Sequence, residues 1–297
     1  MLKSFQSIFV LLLIFGLGVT LLANEWATNY FPDKLGSYWI YADQEGNELT
    51  RYAVEEKDVE GETFRAFDYE PEIDDWEKYL YAVHPFLYKV GEEWVAFYVG
   101  GDIEVATESI LTKKLDETLG AIRQQFAGQL PEGITMDFNY TIEPKAQDYF
   151  YLFPTPVKYN EEWIAMRLNV TVKMKMDIQG APVEIPAELK SISSTTNIVE
   201  TGNVIGTEVV ETQAGTFEDC LKIEYRTKTT VNTTLPTEFK QLLPEQQPAE
   251  SVTTLWLAPN VGIVKFSSGQ ENSDDMKTLE LKNYEIQTDE SESGDSK

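Results

Sequence analysis

The sequence predicts a mainly β fold (α+β): a strongly curved antiparallel sheet wrapped around one long amphipathic helix. Three observations carry that expectation. Most of the chain alternates apolar and polar residues with period two, the mark of half-buried strands. The strand-like segments follow one another across short polar turns, which favours an antiparallel meander over a parallel α/β sheet. A single segment, 104–130, switches to apolar spacings of three and four.

Taken in chain order, residues 1–23 read as a secretory signal. Lys3 supplies the positive start, an uncharged apolar run extends from Ile8 to Leu22, and Ala23 is a small residue before an expected cut at Asn24. The run is shorter than the roughly 20 residues a membrane-spanning helix needs, so cleavage is expected over retention as an anchor. No Cys follows it, which excludes lipid attachment of the bacterial lipoprotein kind. No second apolar run of spanning length occurs, so no stable membrane insertion is expected after cleavage.

Residues 24–287 are expected to form one domain. Strands are predicted at 37–42 and 49–55, flanking the Gly-containing hairpin loop Asp43-Gln44-Glu45-Gly46-Asn47, and at 63–70 and 94–99. The helix at 104–130 carries Ile110, Leu111, Leu115, Leu119, Ile122 and Phe126 on one stripe, with Thr107 or Ser109 as cap and Pro131 and Gly133 as stop. The clearest strand is 164–178, where Ile164, Met166, Leu168, Val170, Val172, Met174, Met176 and Ile178 share a face. At about 3.3 Å per residue it runs on the order of 50 Å, so it must twist and coil, and the sheet should curve. The helix is expected on the concave face, with Leu115, Leu119, Ile122 and Phe126 among Met166, Leu168, Val170 and Val172. Further strands are predicted at 207–212, 217–229, 252–258, 262–267 and 277–286. Residues 236–248 read as a loop with one short helix, and the acidic tail 288–297 as disordered.

A short pattern occurs three times: Lys, any residue, Gly or Asn, two residues, Trp. The copies end at Trp39, Trp94 and Trp163 and contain Gly36, Gly91 and Asn160. Gly and Asn tolerate positive φ, so each copy is read as a turn launching a strand, with the Trp planted on the core.

Two further motifs are Glu211-Thr212-Gln213-Ala214-Gly215-Thr216-Phe217-Glu218-Asp219-Cys220-Leu221-Lys222-Ile223 and Trp256-Leu257-Ala258-Pro259-Asn260-Val261-Gly262-Ile263-Val264-Lys265. Together with Tyr30-Phe31-Pro32 leading to Gly36 and Trp39, they resemble a group of uncharacterised exported bacterial proteins related to the lipoprotein-carrier-like superfamily. The resemblance is strong over 205–286, fair over 28–70 and absent over 100–150. It implies an open half-barrel wrapped around helices and carries over no catalytic residues. The motifs also stand alone as turns: Ala214-Gly215 joins two strands, and Pro259-Asn260 fits a β-turn.

The composition excludes whole classes of function. The 50 acids against 24 bases give a net charge of -26, which argues against nucleic acid and against anionic lipid headgroups. One Cys and one His leave no zinc, haem or Cys/His catalytic set. Cys220 is expected to be a small buried hydrophobe, and His84, before Pro85, part of a turn or extended segment. Asp74-Asp75 and Asp274-Asp275 lack the spacing of a calcium loop. No catalytic, metal or cofactor residue is assigned, and the protein is not expected to be an enzyme. Two functions are expected: a structural or interaction role in the cell envelope or outside it, or a carrier for an apolar ligand such as an acyl chain. A ligand face, if present, would comprise Met166, Met174, Met176, Trp39, Trp94 and Trp163. An empty apolar groove would favour the carrier; a filled interior would favour the interaction role.

Overall fold

The computed structural model describes residues 29–76, 79–126, 134–180, 190–234, 250–270 and 276–287. The expected signal at 1–23, the loop at 236–248 and the tail at 288–297 lie outside them. The described residues form one antiparallel sheet of thirteen strands and one long helix. The strands are β1 (Tyr38–Asp43), β2 (Glu48–Val59), β3 (Glu62–Glu70), β4 (Leu87–Val90), β5 (Trp94–Tyr98), β6 (Thr135–Ala146), β7 (Tyr149–Pro154), β8 (Trp163–Gln179), β9 (Ser191–Thr212), β10 (Gly215–Thr233), β11 (Ser251–Ala258), β12 (Gly262–Gln270) and β13 (Lys277–Glu285). The helix, α1, spans Gly100–Phe126. It begins one turn before the expected start because Ile103 and Ala106 carry the apolar stripe back to Gly100; both are buried.

The strand order is β6-β8-β9-β10-β11-β12-β13-β1-β2-β3-β4-β5-β7. Two meanders, β8–β13 and β1–β5, are joined where β13 pairs with β1, Trp39 opposite Tyr284. The outer strands, β6 and β7, sit at opposite ends of the order, yet only Gln147 and Asp148 separate them in sequence. Thirteen flat strands at about 4.8 Å spacing would span nearly 60 Å. Three peptide steps reach about 11 Å. The ends of the sheet are therefore brought together. Trp163 Nε1 on β8 donates to Tyr151 O on β7 at 2.8 Å, and Tyr225 on β10 donates to Leu152 O on β7 at 2.6 Å.

Inside lies a core of aromatic and branched side chains. Trp39, Phe67, Val95, Phe97, Phe150, Leu152, Leu221, Ile223, Leu255 and Ile263 are all fully buried. Phe31, Phe67, Tyr88 and Phe97 meet ring to ring, with centroids 4.5–6.0 Å apart.

The turn expectations are met at most positions. Asp43 Oδ1 accepts from the amides of Glu45 and Asn47 at 2.9 and 2.8 Å, closing the first hairpin. Val261 N donates to Ala258 O across the Pro259-Asn260 turn, with Asn260 at φ 61. Gly36 and Asn160 of the repeated pattern have φ 85 and 58, whereas Gly91 is not among the positive-φ residues. In that copy Gly91 N donates to Trp94 O, an ordinary hairpin closure.

Four strands were not foreseen: β4, β6, β7 and most of β9. Ile164 departs from its expected face: a bulge between Ile164 and Met166 shifts the register, so that Ala165 is buried and Ile164 is 41% exposed. The helix also differs from expectation. It lies against β6, and it is Ile103 and Leu111, from its first half, that join the core cluster of Met166, Leu168 and Val170, rather than Leu115, Leu119 and Ile122. Tyr140 of β6 donates to Asp116 at 2.7 Å and Glu104 accepts from Ala146 N at 2.8 Å. The reason is topological: β6 adds to the edge of β8 and takes the helix. Leu119 is buried, and Leu115 and Ile122 are half-buried.

Candidate functional site

The six residues expected to form an apolar face are divided between two regions. Trp39 is sealed in the core; its Nε1 donates to Val261 O at 2.6 Å. Trp163 is 9% exposed, and Gly202 makes room for it, since a Cβ there would collide with the indole. Trp94 is half-buried and touches Trp163 and Tyr151, with centroids 6.2 and 5.1 Å apart. Met166 is 4% exposed. These four are packed on the protein's own side chains.

Met174 and Met176 lie elsewhere, on the distal half of β8. There β6, β8, β9 and β10 run on beyond the core as a four-stranded arm. Cross-strand rows place Phe138 opposite Met176, and Tyr140, Met174 and Ile192 in line. All five are half-buried. Val231, 43% exposed, belongs to the same face through the row Val170–Thr196–Val231. The helix lies on this face through Tyr140, over the β6 side.

A second cluster, polar and buried, was missed. Arg51 on β2 is 1% exposed and points inward between Trp39 and Tyr69, its cross-strand neighbours. The Trp39 and Phe67 rings lie 4.3 and 4.5 Å from the guanidinium carbon. Arg51 Nε and Nη1 have no hydrogen-bond partner among the described residues. His84, 6% exposed, also has both ring nitrogens without a partner among the described residues. Burial, and secondarily the Arg51 charge, push its pKa down to about 3, so the imidazole is neutral.

Glu200 of β9 is 3% exposed and accepts from Tyr81 at 2.6 Å. Burial raises its pKa to about 7, outweighing the Tyr81 hydrogen bond. Tyr79 donates to Asp102 of α1 at 3.3 Å, and burial raises that carboxyl as well. One signal for these residues was present in the sequence. Arg51 follows the parity of Leu49 and Ala53, and Glu200 that of Ile198 and Val204, so each is a charge on an apolar stripe.

Other candidates are chemically quiet. Cys220 is fully buried, its thiol pushed up to about 11 mainly by burial, and so is a poor nucleophile. Among the described residues no three His, Cys, Asp or Glu side chains cluster to hold a metal. Surface clefts of about 580 and 540 Å³ mix charged side chains with apolar surface: one is lined by Val105, Glu108, Thr112 and Asp116 on α1, the other by Asp33, Leu35, Val54, Glu55, Arg65 and Tyr88. No helix of the described residues is long and apolar enough to cross a membrane.

Residues 104–281, more than half of the chain, match the DUF3108-like family. The chain belongs to the DUF3108-like family. The match begins at the helix, so it includes most of the 100–150 stretch where the motifs showed no resemblance. This DUF3108-like chain is also similar to two solved structures. One is a candidate lipoprotein from Parabacteroides distasonis ATCC 8503, at 14% identity over 86% of this chain and 98% of that one, with a TM-score of 0.37. The other is a candidate exported protein with a YmcC-like fold from Bacteroides fragilis NCTC 9343, at 12% identity, the same coverage and a TM-score of 0.39. No curated protein matches.

Proposed function

We propose that this DUF3108-like protein is a non-enzymatic, exported component of the cell envelope or its surroundings, and that it acts by docking an apolar surface of another envelope protein on the inner face of its arm. The observation that carries this reading is the contrast between a filled body and a half-covered arm. Trp39, Trp163 and Met166 are consumed by the core. Phe138, Met174, Met176 and Ile192 keep partial exposure on one face. Met side chains adapt to varied apolar shapes, which suits such a contact. The half-barrel relation to lipoprotein carriers belongs to the same proposal: the arm, with α1 on its inner side, is the half-wrapped part of the sheet.

The second reading, a carrier for an acyl chain or similar apolar ligand, draws on the same Met174–Met176 face. A photo-crosslinking residue at Met174, with Lys173 on the opposite face as control, separates the two in intact cells. A protein adduct from position 174 alone supports docking. A lipid adduct transfers the face to the carrier reading. Equal adducts from both positions would remove both.

A further inference from the structure

The connection between β3 and β4 departs from the habit of surface loops. Tyr79, Ala82, Val83 and His84 are buried in it, although connecting segments normally run over the outside. Residues 79–84 also form a local unit, since Val83 N and His84 N both donate to Leu80 O, at 2.9 and 2.8 Å. We propose that this turn is a proton-dependent latch on the sheet: it closes over Glu200 while the carboxyl is neutral, and ionisation, whose burial costs more than the Tyr81 hydrogen bond returns, releases it.

The geometry supports the proposal in three ways. Glu200 lies in mid-strand, opposite Met166 on one side and Thr227 on the other, and neither can neutralise a charge. The ionisable groups facing it are half-buried Tyr81 from the turn and buried Tyr225 from β10, both phenols held neutral by desolvation. No described cation acts on it. An ionised carboxylate in that place therefore needs water. The sheet hydrogen bonds of β8 and β10 close its flanks, so the turn is the movable cover.

The remaining docking contacts of the turn are weak or push the same way. Tyr79 is held by Asp102, a half-buried acid whose charged form burial also disfavours. His84 faces Arg51 and Tyr69 without a hydrogen bond from either ring nitrogen. Both it and the guanidinium can regain hydrogen bonds to water when the turn lifts, which lowers the cost of opening. Below neutrality the latch is closed because Glu200 holds its proton; His84 would add a repelling charge against Arg51 only in strong acid.

Amide hydrogen exchange across 79–86, corrected for the intrinsic pH dependence of exchange, tests the latch. Between pH 5.5 and 7 the opening equilibrium should rise on the order of tenfold and then level off. Amides of β11, such as that of Leu255, should not follow. Glu200→Gln should abolish the rise. Tyr81→Phe, which keeps the acid, should raise opening already at pH 5.5 and serves as the independent variant should Glu200→Gln fold poorly. A flat wild-type profile, a rise that survives in Glu200→Gln, or a parallel loss of protection in β11 would each overturn the proposal.

Discussion

β9 and β10 each run through two regions that treat the same pattern differently. In the body, Val204, Leu221, Ile223 and Tyr225 are fully buried. In the arm, the same parity carries Ile192, Thr196, Ile198, Thr227 and Thr229, all half-buried. Alternation is continuous across the boundary, and the strand hydrogen bonds are too, with Glu200 opposite Thr227 and Ile198 opposite Thr229. What changes is the cover. In the body the facing wall of the curled sheet supplies Phe97, Phe150 and Leu152. In the arm the described cover is α1, set over β6. Period two therefore reports which face a side chain takes, and the rest of the fold decides how dry that face becomes.

The comparison can be broken first where it is strongest. Phe97→Ala in the body should cost about 3–5 kcal/mol, as for a large aromatic removed from a packed core. Urea unfolding would read it, and a loss below about 1 kcal/mol would mean the body is no better packed than the arm.

The seam at Glu200 should show next. Its carboxyl has the ordinary value of 4.5 in the unfolded chain and about 7 in the fold. Below 4.5 both states hold the proton and stability is complete. From 4.5 to 7 the unfolded chain has released it and the folded one has not, so stability falls as pH rises. Above 7 the loss is constant, at about 3 kcal/mol. Glu200→Gln should remove this component. Melting curves from pH 4.5 to 8 check it; the wild type growing more stable over that range would contradict the burial argument. Relief of repulsion among 50 acids and 24 bases acts in the same direction, so the difference between wild type and variant is the quantity to read.

Leu119→Ala tests how well the helix covers the arm. Leu119 is buried at 4% exposure but outside the main core cluster. A cost of about 2 kcal/mol is expected, the low end for a buried leucine. Unfolding by denaturant measures it, and a cost matching that of Phe97→Ala would make α1 part of the body. The smallest effect belongs to Met174→Ala, below about 1 kcal/mol, because a half-buried side chain has less to lose. A larger cost in the isolated protein would show the arm face to be already covered.

Much of this was legible beforehand, for reasons the residues make plain. Alternation located β1, β2, β3, β5, β8 and β10 to β13, and the turn chemistry of Asp43, Asn160 and Asn260 was read correctly. β6 alternates as clearly, with Met136, Phe138, Tyr140 and Ile142, and was overlooked beside the long helix. β9 was harder, because polar Ser194 and Thr196 occupy its inner positions and Ser193, Thr195 and Asn197 the outer ones. The pairing of β13 with β1 has no local signal at all, since it joins segments at opposite ends of the domain. The expected ligand face failed to hold together for a related reason: Trp39, Trp163 and Met166 lie where the curled walls meet, and Met174 and Met176 lie past that meeting. Arg51 and Glu200 were visible as charges out of step with their stripes, but only the fold reveals that among the described residues neither is paired with an opposite charge.

The seam between β13 and β1 also sets an order of events. β1 can form its hairpin as soon as β2, Glu48–Val59, has been synthesised, whereas its other neighbour, Lys277–Glu285, begins more than 230 residues after β1 ends. Until then the row from Tyr38 to Asp43 presents an open edge, and so does β12. Such long-range pairing is slow to form and vulnerable while it waits. A polypeptide stopped after Ala258 would carry that open edge permanently, and self-association through β1 is its expected fate.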